Sequence, residues 1–143
     1  MIPCTLSLPW PPSENSYRRA IIMGKSARML ISKKGREYKQ DVCAALTPQL
    51  AGQLPALHDL KMLVVLYPPN RRKIDLDNRL KALQDALEEA KVFEDDSQIK
   101  SLNVELGEIV KGGRALVHLS PWTEDRQTFP ERLIGRELAE VVA

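Results

Sequence analysis

The sequence predicts an α+β domain, built as a small mixed β-sheet with helices packed mainly on one face. Three patterns lead to this prediction: apolar and polar residues alternate near the N-terminus, residues 60–67 form a short apolar run, and residues 77–90 carry an apolar stripe at helical spacing. Taken in order along the chain, the patterns are strand, basic loop, helix, strand, helix, strand, strand and helix.

The N-terminal third begins with the alternating segment, residues 2–8, which predicts a half-buried strand. The proline-rich run at residues 9–13 cannot continue that strand, because proline removes a hydrogen-bond donor from the ladder. Residues 17–31 are basic with short apolar pieces, and they suggest a hairpin that turns at Gly24.

The central third contains two predicted helices and a buried strand. Ser32 stands at the N-cap position of the first helix, which we expect to end before Pro48. Residues 60–67 are rich in β-branched and other apolar residues, a pattern typical of a strand buried on both faces. The strongest helix signal runs from Asp77 to Ala90.

The C-terminal third predicts two more strands, residues 98–106 and 115–119, joined as a hairpin at Gly112-Gly113. We interpret residues 1–120 as one domain and residues 121–143 as an extension that contains an amphipathic helix. A chain of 143 residues with 43% apolar content is large enough for one modest core, and so small a domain gains from burying further surface in an oligomer.

Several protein classes are excluded by composition. The two cysteines, Cys4 and Cys43, do not make a disulfide framework, and we expect both to be reduced and buried. The N-terminus lacks a signal-peptide pattern, and no apolar run approaches the length of a membrane span. We therefore expect a cytoplasmic, intracellular protein rather than one that works at a membrane.

The net charge of +2 hides two segments of opposite sign. Residues 18–39 contain eight basic residues and one acidic residue, Glu37, whereas residues 85–108 contain eight carboxylates against two lysines. Clustered cations attract polyanions through counterion release, although a solvated basic face is the commoner meaning of such a run. The basic residues singled out as candidate DNA contacts are Arg18, Arg19, Lys33 and Lys34.

The segment from Arg71 to Lys81 carries the densest functional signal. Arg71, Arg72 and Lys73 precede two aspartates spaced i and i+2, Asp75 and Asp77, where a buried strand gives way to a helix. In an extended backbone the two aspartates project from the same side, and the three cations are placed to hold neighbouring phosphates.

Asp96 precedes the next predicted strand, so it joins the pair if that strand returns beside the first. Three convergent carboxylates repel one another unless they share a hard cation, and Mg²⁺ prefers oxygen ligands. Such an ion polarises a phosphoryl oxygen and activates water for attack. Lys81, four residues past Asp77, could balance charge that develops on the phosphate or on the departing oxygen.

Spacing alone leaves a structural alternative open. Asp75 or Asp77 is also a natural helix N-cap, and Asp77 with Lys81 is an ordinary helical ion pair worth about 0.3 to 0.5 kcal/mol.

The ordered set of motifs resembles the RusA family of Holliday-junction resolvases, over about residues 5 to 120. The motifs are Leu8-Pro9-Trp10-Pro11-Pro12-Ser13 with Asn15 and Tyr17, Arg72-Lys73-Ile74-Asp75-Leu76-Asp77-Asn78 with Lys81, Asp85-Ala86-Leu87, Asp95-Asp96-Ser97-Gln98-Ile99 and Lys111-Gly112-Gly113-Arg114. Each motif is weak alone, but their order is specific. One departure is Lys91, which stands where family members often have a glycine after the long helix.

The resemblance implies a Mg²⁺-dependent homodimer that nicks opposing strands of a four-way DNA junction symmetrically, with Mn²⁺ able to replace Mg²⁺. It implies Asp75, Asp77 and Asp96 as catalytic metal ligands and Lys81 as the catalytic lysine. The expected products carry 5′-phosphate and 3′-hydroxyl ends.

Two other functions remain open from the residues themselves. A non-catalytic module that binds branched DNA would use the basic N-terminal third and keep the aspartates as helix caps. A hydrolase of small phosphate esters is disfavoured, because a small substrate needs no extended cationic surface.

Overall fold

The computed structural model describes residues 2–123, which form a four-stranded mixed sheet, a separate two-stranded hairpin and three helices. The predicted α+β class is therefore confirmed. The elements are β1 (Cys4–Leu8), α1 (Glu14–Tyr17), β2 (Arg18–Met23), β3 (Ser26–Ile31), α2 (Lys33–Leu50), β4 (Leu60–Tyr67), a 3₁₀ turn at Asp77–Arg79, α3 (Leu80–Glu89), a second 3₁₀ turn at Asp96–Gln98, β5 (Ile99–Leu106) and β6 (Arg114–Pro121).

The strand order in the main sheet is β1-β6-β4-β5, with β4 parallel to β5 and antiparallel to β6. The predicted hairpin of β5 and β6 is wrong, because β4 lies between these two strands. Gly112 and Gly113 do form the turn, with φ angles of 80° and 74°. The glycine pair therefore marks a tight turn but does not decide which strands pair. β4 is the most apolar strand, and its interior place in the sheet separates β5 from β6.

The core lies between the sheet and helices α2 and α3. Alternate residues of β4 are fully buried there, together with Leu46 of α2 and Leu83 and Leu87 of α3. The opposite face of β4 is only half-buried, so the prediction of a strand buried on both faces needs correction. Both cysteines are free, as predicted, but they are half-buried rather than buried.

Helix α2 continues past the proline expected to end it, with Pro48 in its last turn. Ser32 caps its start as predicted, since its hydroxyl accepts the Gly35 N–H at 3.1 Å. Near the C-terminus the Thr47 hydroxyl donates to the Cys43 carbonyl at 2.7 Å, and Leu46 is anchored in the core. Proline in the last turn still loses its hydrogen bond to the residue four positions earlier, so tertiary packing overrides the local stop signal.

The predicted basic hairpin is confirmed as β2 and β3, which turn at Gly24 with a φ of 62°. It pairs with no strand of the main sheet. Its base is tied to the body where the Ser32 N–H donates to the Tyr17 carbonyl at 2.8 Å.

The last described strand, β6, runs to Pro121, and the Trp122 N–H then donates to the Asp59 carbonyl at 2.9 Å. The helix predicted within residues 121–143 lies beyond the described part of the chain. Within residues 2–123, no helix combines the length and apolar character needed to cross a bilayer.

Candidate functional site

Lys81 lies at the centre of a charged cluster on one side of α3. Its Nζ lies 3.0 Å from Asp85 Oδ1 and 3.8 Å from Asp96 Oδ2. The first contact follows from helical geometry, because residues four apart lie on the same face. The second joins α3 to the turn that precedes β5, so the fold brings together two of the four predicted catalytic residues.

The buried side chain of Tyr17, from α1, holds the other oxygen of Asp85. Its hydroxyl donates to Asp85 Oδ2 at 2.8 Å, so one carboxylate accepts from a phenol and pairs with an ammonium. Burial, together with this neighbouring carboxylate, raises the pKa of Tyr17 well above its ordinary value. Tyr17 therefore stays protonated and keeps donating over the working pH range.

The position of Asp96 is set by a capping box in its own 3₁₀ turn. Asp95 Oδ1 accepts the Ser97 N–H at 3.1 Å, which helps to lower the pKa of the Asp95 carboxyl. Gln98 Oε1 accepts the Asp95 N–H at 2.9 Å, and Gln98 Nε2 donates to the Ala56 carbonyl at 2.8 Å. The turn is thus fastened to the connection that leads into β4.

Asp85, Glu88 and Asp96 each offer one carboxylate oxygen, and these oxygens lie within 4.8 Å of one another. Within residues 2–123 this is the one group of three His, Cys, Asp or Glu side chains so spaced. A set of oxygen donors of this kind fits a hard cation such as Mg²⁺.

Two of the three predicted metal ligands, Asp75 and Asp77, stand outside this group, and both are exposed. β5 runs parallel to β4 with Ile99 opposite Leu60, so the turn before β5 lies toward the start of β4, whereas Asp75 follows its end. The strand does return beside β4, which is the condition that the prediction set, but within residues 2–123 Asp75, Asp77 and Asp96 are not a group whose ligand atoms all lie within 4.8 Å of one another. The assignment of these three aspartates as a metal site stays a prediction.

The alternative in which Asp75 or Asp77 caps a helix is wrong. The 3₁₀ turn that contains Asp77 has Leu76 at its N-cap, α3 has Arg79 there, and neither cap makes a side-chain hydrogen bond. Within the described residues Lys81 forms no salt bridge with Asp77, since both of its partners lie further along the chain.

Arg71, Arg72, Lys73 and Asp75 line a groove of about 740 Å³ at the carboxyl ends of β4 and β5. Its other wall is the segment that follows β5, with Leu106 at its edge. The three cations are exposed, and none of them forms a salt bridge within residues 2–123. They are therefore free to pair with an external anion.

The proline-rich loop braces the start of α3 from the N-terminal side. Arg79 donates to the Pro11 carbonyl at 2.8 Å, and its guanidinium lies 5.1 Å from the centre of the Trp10 ring. Gly113 packs closely on Trp10, where a Cβ would come within 2.7 Å of the tryptophan Cβ. Trp10 is thus a packing anchor.

The other predicted DNA contacts lie along the basic N-terminal third. Arg18 pairs with Glu14 and Lys33 with Glu37, each at 3.8 Å, while Arg19 and Lys34 are exposed without a salt bridge among the described residues. Arg19 is on β2, and Lys34 is in the first turn of α2.

Sequence reasoning assigned no role to Asp85 or Glu88. Their spacing from Lys81 on α3, four and seven residues, was the available signal, because these positions share one face of a helix. Their proximity to Asp96 could not be read from this spacing, since it depends on the return path of the chain before β5.

Residues 9–120 match the model of a protein family described as Endodeoxyribonuclease RusA. A crossover junction endodeoxyribonuclease of Enterobacteria phage HK97 is 38% identical over 107 residues, which are 75% of this chain and 85% of the relative. The protein of the same name from Escherichia coli K12 is 33% identical over 110 residues, 77% of this chain and 88% of the relative. The crossover junction endodeoxyribonuclease of Enterobacteria phage 82 is 34% identical over 109 residues, which are 76% of this chain and 87% of the relative.

Proposed function

Because the chain belongs to the RusA endodeoxyribonuclease family, we propose that it is a structure-selective DNA endonuclease that resolves Holliday junctions. The observation that carries the proposal is the approach of Lys81 to Asp96, at 3.8 Å, within a group of carboxylates. A cation and several anions held together in this way suit a reaction in which negative charge moves between oxygens.

In the proposed reaction, one water adds to the phosphorus and the bond to the 3′ oxygen breaks. The products are a 5′-phosphate and a 3′-hydroxyl, and the departing oxygen takes up a proton. Lys81 balances the charge that develops on the phosphate or on this oxygen. Asp85 acts through Lys81, because it pairs with the ammonium group, and Tyr17 acts through Asp85, whose other oxygen accepts a hydrogen bond from its hydroxyl.

The proposed cofactor is Mg²⁺, with Asp75, Asp77 and Asp96 as its ligands and Mn²⁺ as a substitute. When bound, the ion would polarise a phosphoryl oxygen and activate water. Asp85 and Glu88 lie beside Asp96, so they add negative charge to the same region. Isothermal titration would measure the affinity for Mg²⁺ or Mn²⁺ of the unaltered chain and of Asp75→Asn, Asp96→Asn and Asp85→Asn. A loss of affinity in a variant would identify its carboxylate as a metal ligand.

The substrate is proposed to lie along the cationic groove and the basic N-terminal third. Arg71, Arg72 and Lys73 would contact phosphates beside Asp75, and Arg18, Arg19, Lys33 and Lys34 would extend the contact. A four-way junction has two-fold symmetry, so two symmetric nicks require two sites, and we propose a homodimer on that ground.

The decisive experiment incubates a labelled four-way junction with Mg²⁺ or Mn²⁺ and either the unaltered chain or Asp75→Asn. We expect the unaltered chain to nick the junction, and Asp75→Asn to bind it without nicking. Asp41→Asn, which changes an exposed aspartate on α2, is the matched control and should cut normally.

Two outcomes would overturn the proposal. Binding without scission by the unaltered chain, with either ion, would identify a non-catalytic module for branched DNA. Turnover of a small phosphodiester that is indifferent to added junction would point to a hydrolase of small esters instead.

A further inference from the structure

The hairpin of β2 and β3 is an unusual element, because it exposes large apolar side chains while pairing with no strand of the main sheet. Ile22 is 82% exposed and Met29 is 62% exposed. Two-stranded ribbons are marginally stable alone, and contiguous exposed apolar surface usually marks a binding site.

The pairing register separates the hairpin into two different faces. Directly opposed residues of an antiparallel pair share a face, and successive residues alternate between faces. One face carries Arg18 opposite Ile31 at its base and, toward the tip, Ala20 opposite Met29 and Ile22 opposite Ala27. We call the four residues toward the tip, Ala20, Ile22, Ala27 and Met29, the apolar face of the hairpin.

The other face of the hairpin mixes cations with apolar residues, among them Met23, which is 55% exposed, and Leu30, which is 41% exposed. Arg19 is opposite Leu30 and Arg28 is opposite Ile21, while Lys25 lies in the turn at the tip. All three cations are exposed, and none forms a salt bridge within residues 2–123. No acidic residue occurs between Arg18 and Arg36.

This combination of charge and apolar surface selects the partner. A second copy of the chain seated through the same hairpin would supply no carboxylate to these cations, because residues 18–36 contain none. DNA supplies phosphates for the cations. A continuous duplex, however, hides the faces of its bases within the stack, whereas a branch point interrupts the stack and makes base faces accessible.

We propose that the apolar face of this hairpin, through Ile22 and Met29, packs on bases exposed at the centre of a DNA junction while its cations hold the flanking phosphates. The proposal rests on the proposed function and adds to it the element that distinguishes branched from continuous DNA. Apolar side chains that pack on unstacked bases are a known means of recognising distorted DNA.

The test compares the unaltered chain with the double variant Ile22→Thr, Met29→Thr, in which threonine keeps strand propensity but removes most apolar surface. Binding is measured in EDTA to a four-way junction with 2-aminopurine at the branch point, and to a duplex of the same arm sequence. We expect junction affinity to fall roughly tenfold and duplex affinity to stay within twofold, since the burial of two apolar side chains is worth at least that much. The fluorescence change at the branch point should be lost.

Two matched variants sharpen the result. Leu54→Thr alters a side chain that is 90% exposed in the connection between α2 and β4, and it should leave both affinities unchanged. Arg28→Gln should weaken junction and duplex binding alike and reduce the salt dependence of both, because a phosphate contact is indifferent to branching.

Other outcomes would overturn the inference. Equal loss of junction and duplex binding by the double variant would mean that the apolar face does not distinguish branched from continuous DNA. Unchanged junction binding would mean that the apolar face does not contact DNA. A change in oligomeric state by light scattering would show that a second copy covers it. If the unaltered chain ignores the junction altogether, the proposed function itself fails, and this is seen before any variant is compared.

Discussion

The cluster around Lys81 and the groove lined by Arg71, Arg72 and Lys73 place their charges in opposite ways. In the cluster, cation and carboxylates come from several elements and are fastened to one another, at 3.0 Å and 3.8 Å for Lys81. In the groove, the cations are exposed and have no carboxylate partner among the described residues. The charges of the cluster are already paired with one another in the absence of a ligand, whereas the positive charges of the groove are available to a ligand.

This difference predicts separate losses when the two regions are altered. Changes in the cluster should slow cleavage of bound DNA, because its side chains are held for chemistry. Changes in the groove should weaken binding and its response to salt, because its cations contact phosphates.

The largest effect is expected for Lys81→Gln. Removing a positioned charge from a site of developing negative charge typically costs about 10²- to 10³-fold in rate. Single-turnover cleavage of saturating junction should fall by that amount, with affinity nearly unchanged. Lys100→Gln, the same charge change at an exposed position on β5, is the control. An equal loss in both variants would remove the distinction between chemistry and general charge.

Tyr17→Phe should give the next largest effect. It removes the hydroxyl that donates to Asp85 at 2.8 Å, and a hydrogen bond to a charged group is worth about 1.5 kcal/mol or more. We expect a lower free energy of unfolding in urea and a severalfold slower cleavage step. Tyr38→Phe, which loses a 3.0 Å bond to the Pro9 carbonyl, should cost stability without slowing cleavage.

Arg72→Gln tests the groove. One lost phosphate contact should weaken junction binding severalfold and reduce the salt slope by about one, while cleavage at saturation is retained. Fluorescence anisotropy at several salt concentrations measures both quantities. A slower cleavage step with unchanged affinity would place Arg72 in the chemistry and would break the comparison.

The smallest effect is expected at the end of α3, where Lys91 borders Asp85 and Glu88 but forms no salt bridge within residues 2–123. Lys91 has a φ of 61°, and a non-glycine residue in this left-handed conformation is strained. Lys91→Gly should raise the free energy of unfolding by about 0.5 to 1 kcal/mol, whereas Lys91→Ala should not. Both variants lose the same charge, so cleavage should be equal in the two, and this pair also checks that stability alone does not control the rate.

Much of the architecture could be predicted because the relevant signals are local. Helix α2 begins at its Ser32 cap, the hairpin turns at Gly24, and β4 has the bounds of the apolar run. The wrong predictions came from the same local logic. Pro48 lies inside a helix, and Gly112-Gly113 joins strands that are not neighbours, because packing of the whole sheet outweighs a single turn or breaker residue.

The sequence by itself determined the family, the α+β class and the candidate residues, since these depend on residue types and their order. Tertiary structure decided which of those residues meet. It joined Lys81 to Asp96, added Asp85, Glu88 and Tyr17 to their surroundings, and left Asp75 and Asp77 exposed outside that group. The physical reason is that side-chain contacts between elements depend on strand order and register, which no short stretch of sequence encodes.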